Sequence, residues 1–153
     1  MEGKKEILEH HRCVIEFVQA LKDLTEDEWR TPIAENKWTV AEVISHLIPW
    51  DEFVLYKRIP YLFTDDKLPK SPEAAIINAK AALKARKTEK KIIIDKFILG
   101  RSNLLKAIDI IPEHHWKNEL TIGQTRLSLL DYLGGLAEHD FHHFEQVKDV
   151  LKS

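Results

Sequence analysis

Four stretches of this chain place apolar residues at helical spacing, and no stretch alternates apolar and polar residues for long enough to make a sustained strand. Over residues 4–23 the stripe is Ile7, Val14, Phe17, Val18 and Leu21. A second stretch opens at Thr39 and carries Val40, Val43, Ile44, Leu47, Trp50, Val54 and Leu55. Ile92, Ile93, Phe97, Ile98, Leu104, Leu105 and Ile108 mark the third; Leu129, Leu133, Leu136, Val147 and Val150 mark the fourth. Four amphipathic helices can bury their stripes only against one another, which predicts an all-α chain folded as an up-and-down antiparallel four-helix bundle. With 153 residues, the expectation is a single domain over 1–153, large enough to bury a core without disulfides or structural ions.

The ends of these helices are written locally. Thr39 followed by Glu42 is a capping box, in which hydroxyl and carboxylate satisfy backbone donors of the first helical turn. Ser128 with Asp131 has a similar form before the last helix. Ser71 followed by Pro72 predicts another start, because proline at the first helical position lacks only an N–H that would be unsatisfied anyway. Pro49 falls inside the second helix and removes the bond to the Ser45 carbonyl, so a kink just past His46 is expected. Pro60 and Pro112 are expected stops. Residues 64–72 are the most loop-like stretch, a break is expected near 85–88, and residues 112–128 read as a connection.

Charge excludes some functions. Lys plus Arg number 23 against 25 Asp plus Glu, a formal net charge of −2, whereas a nucleic-acid partner calls for a basic excess. The basic run from Lys80 to Lys91 reads as a solvated helix face. No apolar segment is long enough to span a membrane, and the polar start Met1–Glu6 lacks the apolar stretch of a signal peptide. Cys13 is the only cysteine, which fits a reducing compartment, and its apolar neighbours suggest a small buried hydrophobe. A cytoplasmic location is the expectation.

Chemistry concentrates near the end of the chain, in His139-Asp140-Phe141-His142-His143. His139 and His143 are four apart and share one helix face, so both rings can reach one ion. His46, flanked by Val43 and Leu47, is expected to point inward from the second helix and to be the third ligand. Spacing alone is equally consistent with ordinary hydrogen-bonded histidines. His142 points about 100° away from His143 around the helix, as a surface residue or substrate contact. The pairs His10-His11 and His114-His115 read as solvated. Gly134-Gly135, one turn before His139, permit either close helix packing or an open path to the histidines. Asp140 and Glu42 sit where a general base could stand, although Asp140 could instead orient a ligand and Glu42 already has a capping role.

Two segments carry a resemblance to a known family. Trp38-Thr39-Val40-Ala41-Glu42-Val43-Ile44-Ser45-His46-Leu47 is similar to the second-helix signature of the DinB-like superfamily, which includes the YfiT-type metal-dependent hydrolases. Leu127–Leu133 followed by His139–Val147 resembles its final-helix signature, in the same order and at a matching separation. The resemblance implies a four-helix bundle and a metal site of His46, His139 and His143. It further implies a divalent ion, nickel or zinc foremost, and a homodimer. Relatives include hydrolases and thiol-dependent transferases and isomerases that use bacillithiol, mycothiol or glutathione. Pro49 departs from the family pattern, in which helix-forming residues continue at that place.

The expected function is therefore a metal-dependent enzyme acting on a small-molecule substrate. The ion would activate water or a low-molecular-weight thiol for attack on an electrophile, making the chain a hydrolase or a thiol S-transferase. The alternative is a non-catalytic metal- or ligand-binding bundle, a stress-response or sensor module. A helical interaction protein with purely structural histidines is a third reading.

Overall fold

The computed structural model describes residues 3–64 and 67–152. It contains helices α1 (Lys4–Ala20), a single-turn α2 (Glu26–Trp29), α3 (Val40–Phe53), α4 (Ala74–Ala85) and α5 (Lys90–Asp109). A hairpin of β1 (Glu119–Ile122) and β2 (Thr125–Ser128) follows, and α6 (Leu129–Leu151) completes the order. Helices α1, α3, α5 and α6 form the four-helix bundle. α5 packs along both α1 and α3, α6 lies against α1, and α4 rides on the outside of α3. Lys4 reaches the Asp109 and Ile111 carbonyls at the end of α5, and Lys22 pairs with Asp95 near its start, so α1 and α5 are antiparallel. Glu42 meets Arg86 just before α5 and Asp51 meets Arg101 in its middle, so α3 and α5 run the same way. The short α4 is the return that makes this parallel pair possible.

Capping fixes where the helices begin. The Thr39 hydroxyl accepts from the Glu42 backbone N–H, while the Glu42 carboxylate accepts from the Thr39 N–H, and Thr25 with Glu28 repeats the arrangement at α2. The Ser128 hydroxyl accepts from the Asp131 N–H and starts α6. Ser71 does not cap α4: the helix begins at Ala74 behind Glu73, and the Ser71 hydroxyl accepts from Arg58 instead. α3 runs through Pro49 to Phe53, then widens into a π-helical turn over Val54–Arg58 before a 3-10 turn that contains Pro60. The expected break after α4 lies at 86–89. Residues 65 and 66 of the loop expected at 64–72 lie outside the described residues.

The hairpin replaces part of what reads as a plain connection. Ile122 pairs with Thr125 across a two-residue turn, in which Gly123 takes a positive φ of 62°. A first turn residue with positive φ is the hairpin geometry that follows strand twist, and glycine adopts it without steric penalty. Strands of four residues are too short to display an alternation that stands out from a loop.

The core is split into two apolar halves by a polar layer. Val14, Val18, Val43, Ile44, Phe97 and Phe144 belong to one half, and Ile7, Leu8, Val54, Leu104, Ile108 and Leu133 to the other. Between them each long helix contributes a buried polar residue: His10 and His11 from α1, Asp51 from α3, Arg101 from α5 and Asp140 from α6. His10 and His11 are thus buried rather than solvated. Both flank the stripe of Ile7, Val14 and Val18, which is where a helix wheel places residues three and four positions from its members. Cys13, by contrast, is exposed, one position off the stripe that buries Val14. Among the described residues no helix is long and apolar enough to cross a membrane.

Candidate metal centre

α3 and α6 bring His46, His139 and His143 together. One ring nitrogen from each lies within 4.8 Å of the others. The ring centroids are 4.6 Å apart for His46 and His143, 4.6 Å for His139 and His143, and 6.0 Å for His46 and His139. His46 is buried, His143 half-buried and His139 exposed, so the group opens to solvent on the α6 side. The α6 stripe that faces the core is Leu133, Ala137, Asp140, Phe144 and Val147. The two α6 histidines stand beside that stripe, on its solvent side.

The local structure selects which nitrogen each ring presents. His46 Nδ1 meets the Val43 carbonyl, which can only accept, so this nitrogen carries the proton and Nε2 keeps its lone pair. His143 Nδ1 lies 3.1 Å from Gln146 Oε1, which fixes the same tautomer. His143 Nε2 then faces His139 Nε2 at 3.2 Å. Either His139 Nε2–H donates to the His143 lone pair, or, with both nitrogens deprotonated, a cation between the rings accepts both lone pairs. Trp38 packs on His46 with ring centroids 4.9 Å apart and limits its rotation.

The electrostatics keep these rings neutral. Burial, with His143 and His139 as neighbours, lowers the pKa of His46 to about 4. Burial lowers His143 and His139 as well, with a neighbouring imidazole adding to the effect in each case. Neutral imidazoles are the form that binds a cation, so the donor set fits a divalent ion. Gly135 lies one turn before His139, and a Cβ there would meet nothing within 4 Å. The space beneath His139 is therefore open, and close packing does not explain this glycine. His142 stays exposed, with its ring 5.4 Å from that of His143 and outside the three-nitrogen group.

Asp140 turns into the polar layer and away from any role as a free base. It accepts from His10 Nε2 at 2.8 Å and from Arg101 Nη1 at 2.7 Å. Arg101 also grips Asp51 through Nε at 2.8 Å and Nη2 at 2.9 Å. Burial alone pushes the Asp140 carboxyl up, but Arg101 and His10 outweigh it and hold the group well below the usual range. Asp51, with fewer donors, is raised by burial. His10, His11 and Asp140 form a second compact donor set, but the adjoining guanidinium already occupies Asp140 and repels a cation. Glu42 is likewise committed, to the Thr39 cap and to Arg86 at 3.2 Å. Arg101 and Asp51 escape a sequence reading for function, yet each leaves a signal: a charge on an apolar stripe, at helical spacing between Phe97 and Leu104 and between Leu47 and Val54.

The sequence pattern of the DinB superfamily matches residues 9–147. No curated protein matches the chain. Among solved structures, the fold is similar to that of YfiT from Bacillus subtilis, described as a probable metal-dependent hydrolase with an unusual four-helix bundle topology. That likeness has a TM-score of 0.78 at 17% identity and covers 97% of this chain and 86% of the other. A mycothiol-dependent maleylpyruvate isomerase superposes with a TM-score of 0.70 at 17% identity, over 94% of this chain and 60% of that one. At these identities the two structures speak for the fold.

Proposed function

The chain belongs to the DinB superfamily, and we propose that it is a metal-dependent enzyme whose divalent ion, nickel or zinc, is held by His46, His139 and His143. The observation that carries this reading is the convergence of three neutral ring nitrogens from two helices, two of them with the opposite nitrogen tied to an acceptor. Such outer contacts orient ligands and strengthen their basicity. When bound, the ion would supply Lewis-acid activation of water or a low-molecular-weight thiol.

The chain's own residues supply orientation and access. His46 is fixed from behind by the Val43 carbonyl and from the side by Trp38. The exposed His139 and the open space at Gly135 leave the solvent side free for a small-molecule substrate. Water reaching that side makes hydrolysis available; a thiol of metabolite size could use the same approach. We place homodimer formation with this reading too, as implied by the family resemblance.

One observation favours a second reading. Asp140 and Glu42, the two carboxylates that stand where a general base could, are both engaged with arginine, which leaves neither free for proton transfer. A bundle that binds a metal or ligand without turnover has the same geometry.

Elemental analysis of untagged wild-type protein and His143→Ala in parallel tests the site. The expected result is about one divalent ion per chain, lost in the variant, since three protein ligands are the ordinary complement of an open site. Protein that takes up no nickel or zinc on reconstitution overturns it. A screen of thiols against electrophiles, repeated after metal removal, then separates the enzyme from the binding module.

A further inference from the structure

Arg58 is a buried cation without an acidic partner among the described residues. Only 2% of its surface is exposed. Its hydrogen bonds run to hydroxyls, from Nη2 to Ser71 at 2.9 Å and from the guanidinium to Tyr132, and its Nε is buried with no acceptor among the described residues. The guanidinium lies over the rings of Phe53 and Tyr132, 4.9 and 5.8 Å from their centroids. Such contacts orient an arginine, yet desolvating a cation is worth doing only where hydrogen bonds or opposite charge compensate. Arg101, the other buried arginine, meets that requirement with two carboxylates.

Arg58 lines a cleft of about 730 Å³ between the segment after α3 and strand β1. That volume is within the range of small-molecule sites. Lys67 and Lys70 stand exposed on its rim, whereas its walls include the half-buried Leu62, Leu68, Leu120 and Ile122. Glu119, the acidic residue of the lining, is paired with Arg126 at 3.0 Å. The π-helical turn Val54–Arg58 departs from α-helical spacing where the arginine is presented, as such turns often do at functional positions.

We propose that this cleft binds a small organic anion, a carboxylate on a short apolar body, with Arg58 as its anchor. A planar guanidinium matches a carboxylate in a forked pair, the two lysines add charge at the rim, and the leucine and isoleucine walls take the hydrocarbon part. The site lies near the histidine group: Tyr132 precedes His139 by seven residues on α6, about 10 Å at the helical rise. It stands whether or not those histidines hold an ion.

The test is an NMR titration of the full chain with hexanoate, hexanol and inorganic phosphate, for wild type, His143→Ala, Arg58→Met and Arg58→Lys. Hexanoate should shift residues 58–71 and 119–123 saturably in the wild type and equally in His143→Ala, which separates this site from the metal reading. Hexanol and phosphate should each bind at least about tenfold more weakly, and Arg58→Met should lose hexanoate by a similar factor. Arg58→Lys should fall between. Hexanol binding as well as hexanoate, undiminished hexanoate binding to folded Arg58→Met, or no saturable shift in the wild type overturns the proposal. Phosphate binding as tightly as hexanoate also overturns it, because the apolar walls would then contribute nothing. If Arg58→Met does not fold, the comparison of hexanoate with hexanol on the wild type decides alone.

Discussion

Arg101 Nη1 lies 2.7 Å from Asp140 Oδ2, one residue along the chain from His139, and the same guanidinium grips Asp51 on α3. This relationship ties α5 to α6 and α3 at one level of the bundle, with His10 adding α1. Sliding any helix by one turn would separate charges that have no other compensation, so the layer fixes the register of helices whose apolar stripes alone tolerate slippage. That register determines whether His46 faces His139 and His143.

Replacing Arg101 by Met should therefore destabilise the protein by about 3–5 kcal/mol, because it leaves two buried carboxylates without their cation. Urea denaturation at pH 7 measures it. The triple replacement Arg101→Met, Asp51→Leu, Asp140→Leu should recover much of that loss. A loss under about 1 kcal/mol in Arg101→Met, the range of exposed ion pairs, would contradict the account.

Acid should weaken the fold through His11 and His46. Burial, with Arg101 and His10 adding to it, lowers His11 to about 3, and burial chiefly lowers His46 to about 4. Both rings are neutral in the folded chain and protonate near pH 6.5 when unfolded, so the unfolded state binds more protons below that point. Stability is then fully present above pH 6.5 and declines as pH falls toward 3, by an amount on the order of a few kcal/mol. His11 Nδ1 has no partner among the described residues, so His11→Leu removes a proton acceptor without breaking a bond through that atom. Metal-free His11→Leu should show a shallower decline between pH 6 and pH 4 in thermal melts of wild type and variant.

Gln146 should matter to ion binding without touching the ion. Its carbonyl oxygen accepts from His143 Nδ1 at 3.1 Å. Gln146→Leu should leave the fold intact and lower divalent-metal affinity about 10- to 100-fold, as removal of outer-shell partners does elsewhere. Competition with a fluorescent chelator reads this directly; unchanged affinity would mean that Gln146 does not set the tautomer.

Gly135 separates stability from access. Added bulk there meets open space, and alanine is favoured over glycine in a helix by about 1 kcal/mol. Gly135→Ala should raise thermal stability. Gly135→Phe should keep the fold and any bound ion, while slowing the reaction of a bulky thiol more than that of water.

Much of the bundle is legible in the sequence because helices announce themselves at the scale of a turn. The capping pairs Thr39/Glu42 and Ser128/Asp131 begin the helices they point to, and His46, His139 and His143 meet as their spacing and the family resemblance imply. Less legible are residues whose role depends on a partner far along the chain. His10 and His11 look solvated until Asp140 and Arg101, on other helices, are seen to enclose them. Ser71 resembles a cap until Arg58 claims its hydroxyl. Cys13 reads as interior on the strength of its neighbours, whereas a single helical step of about 100° turns it outward.

The division of the histidines between α3 and α6 also sets an order of events during synthesis. His46 emerges from the ribosome early, but its two companions lie on α6, which follows the other three bundle helices in the chain. A nascent chain thus carries most of the hydrophobic core before it has any three-nitrogen group. Capture of an ion there would occur only after α6 has docked in register, which would make occupancy a reporter of the assembled bundle.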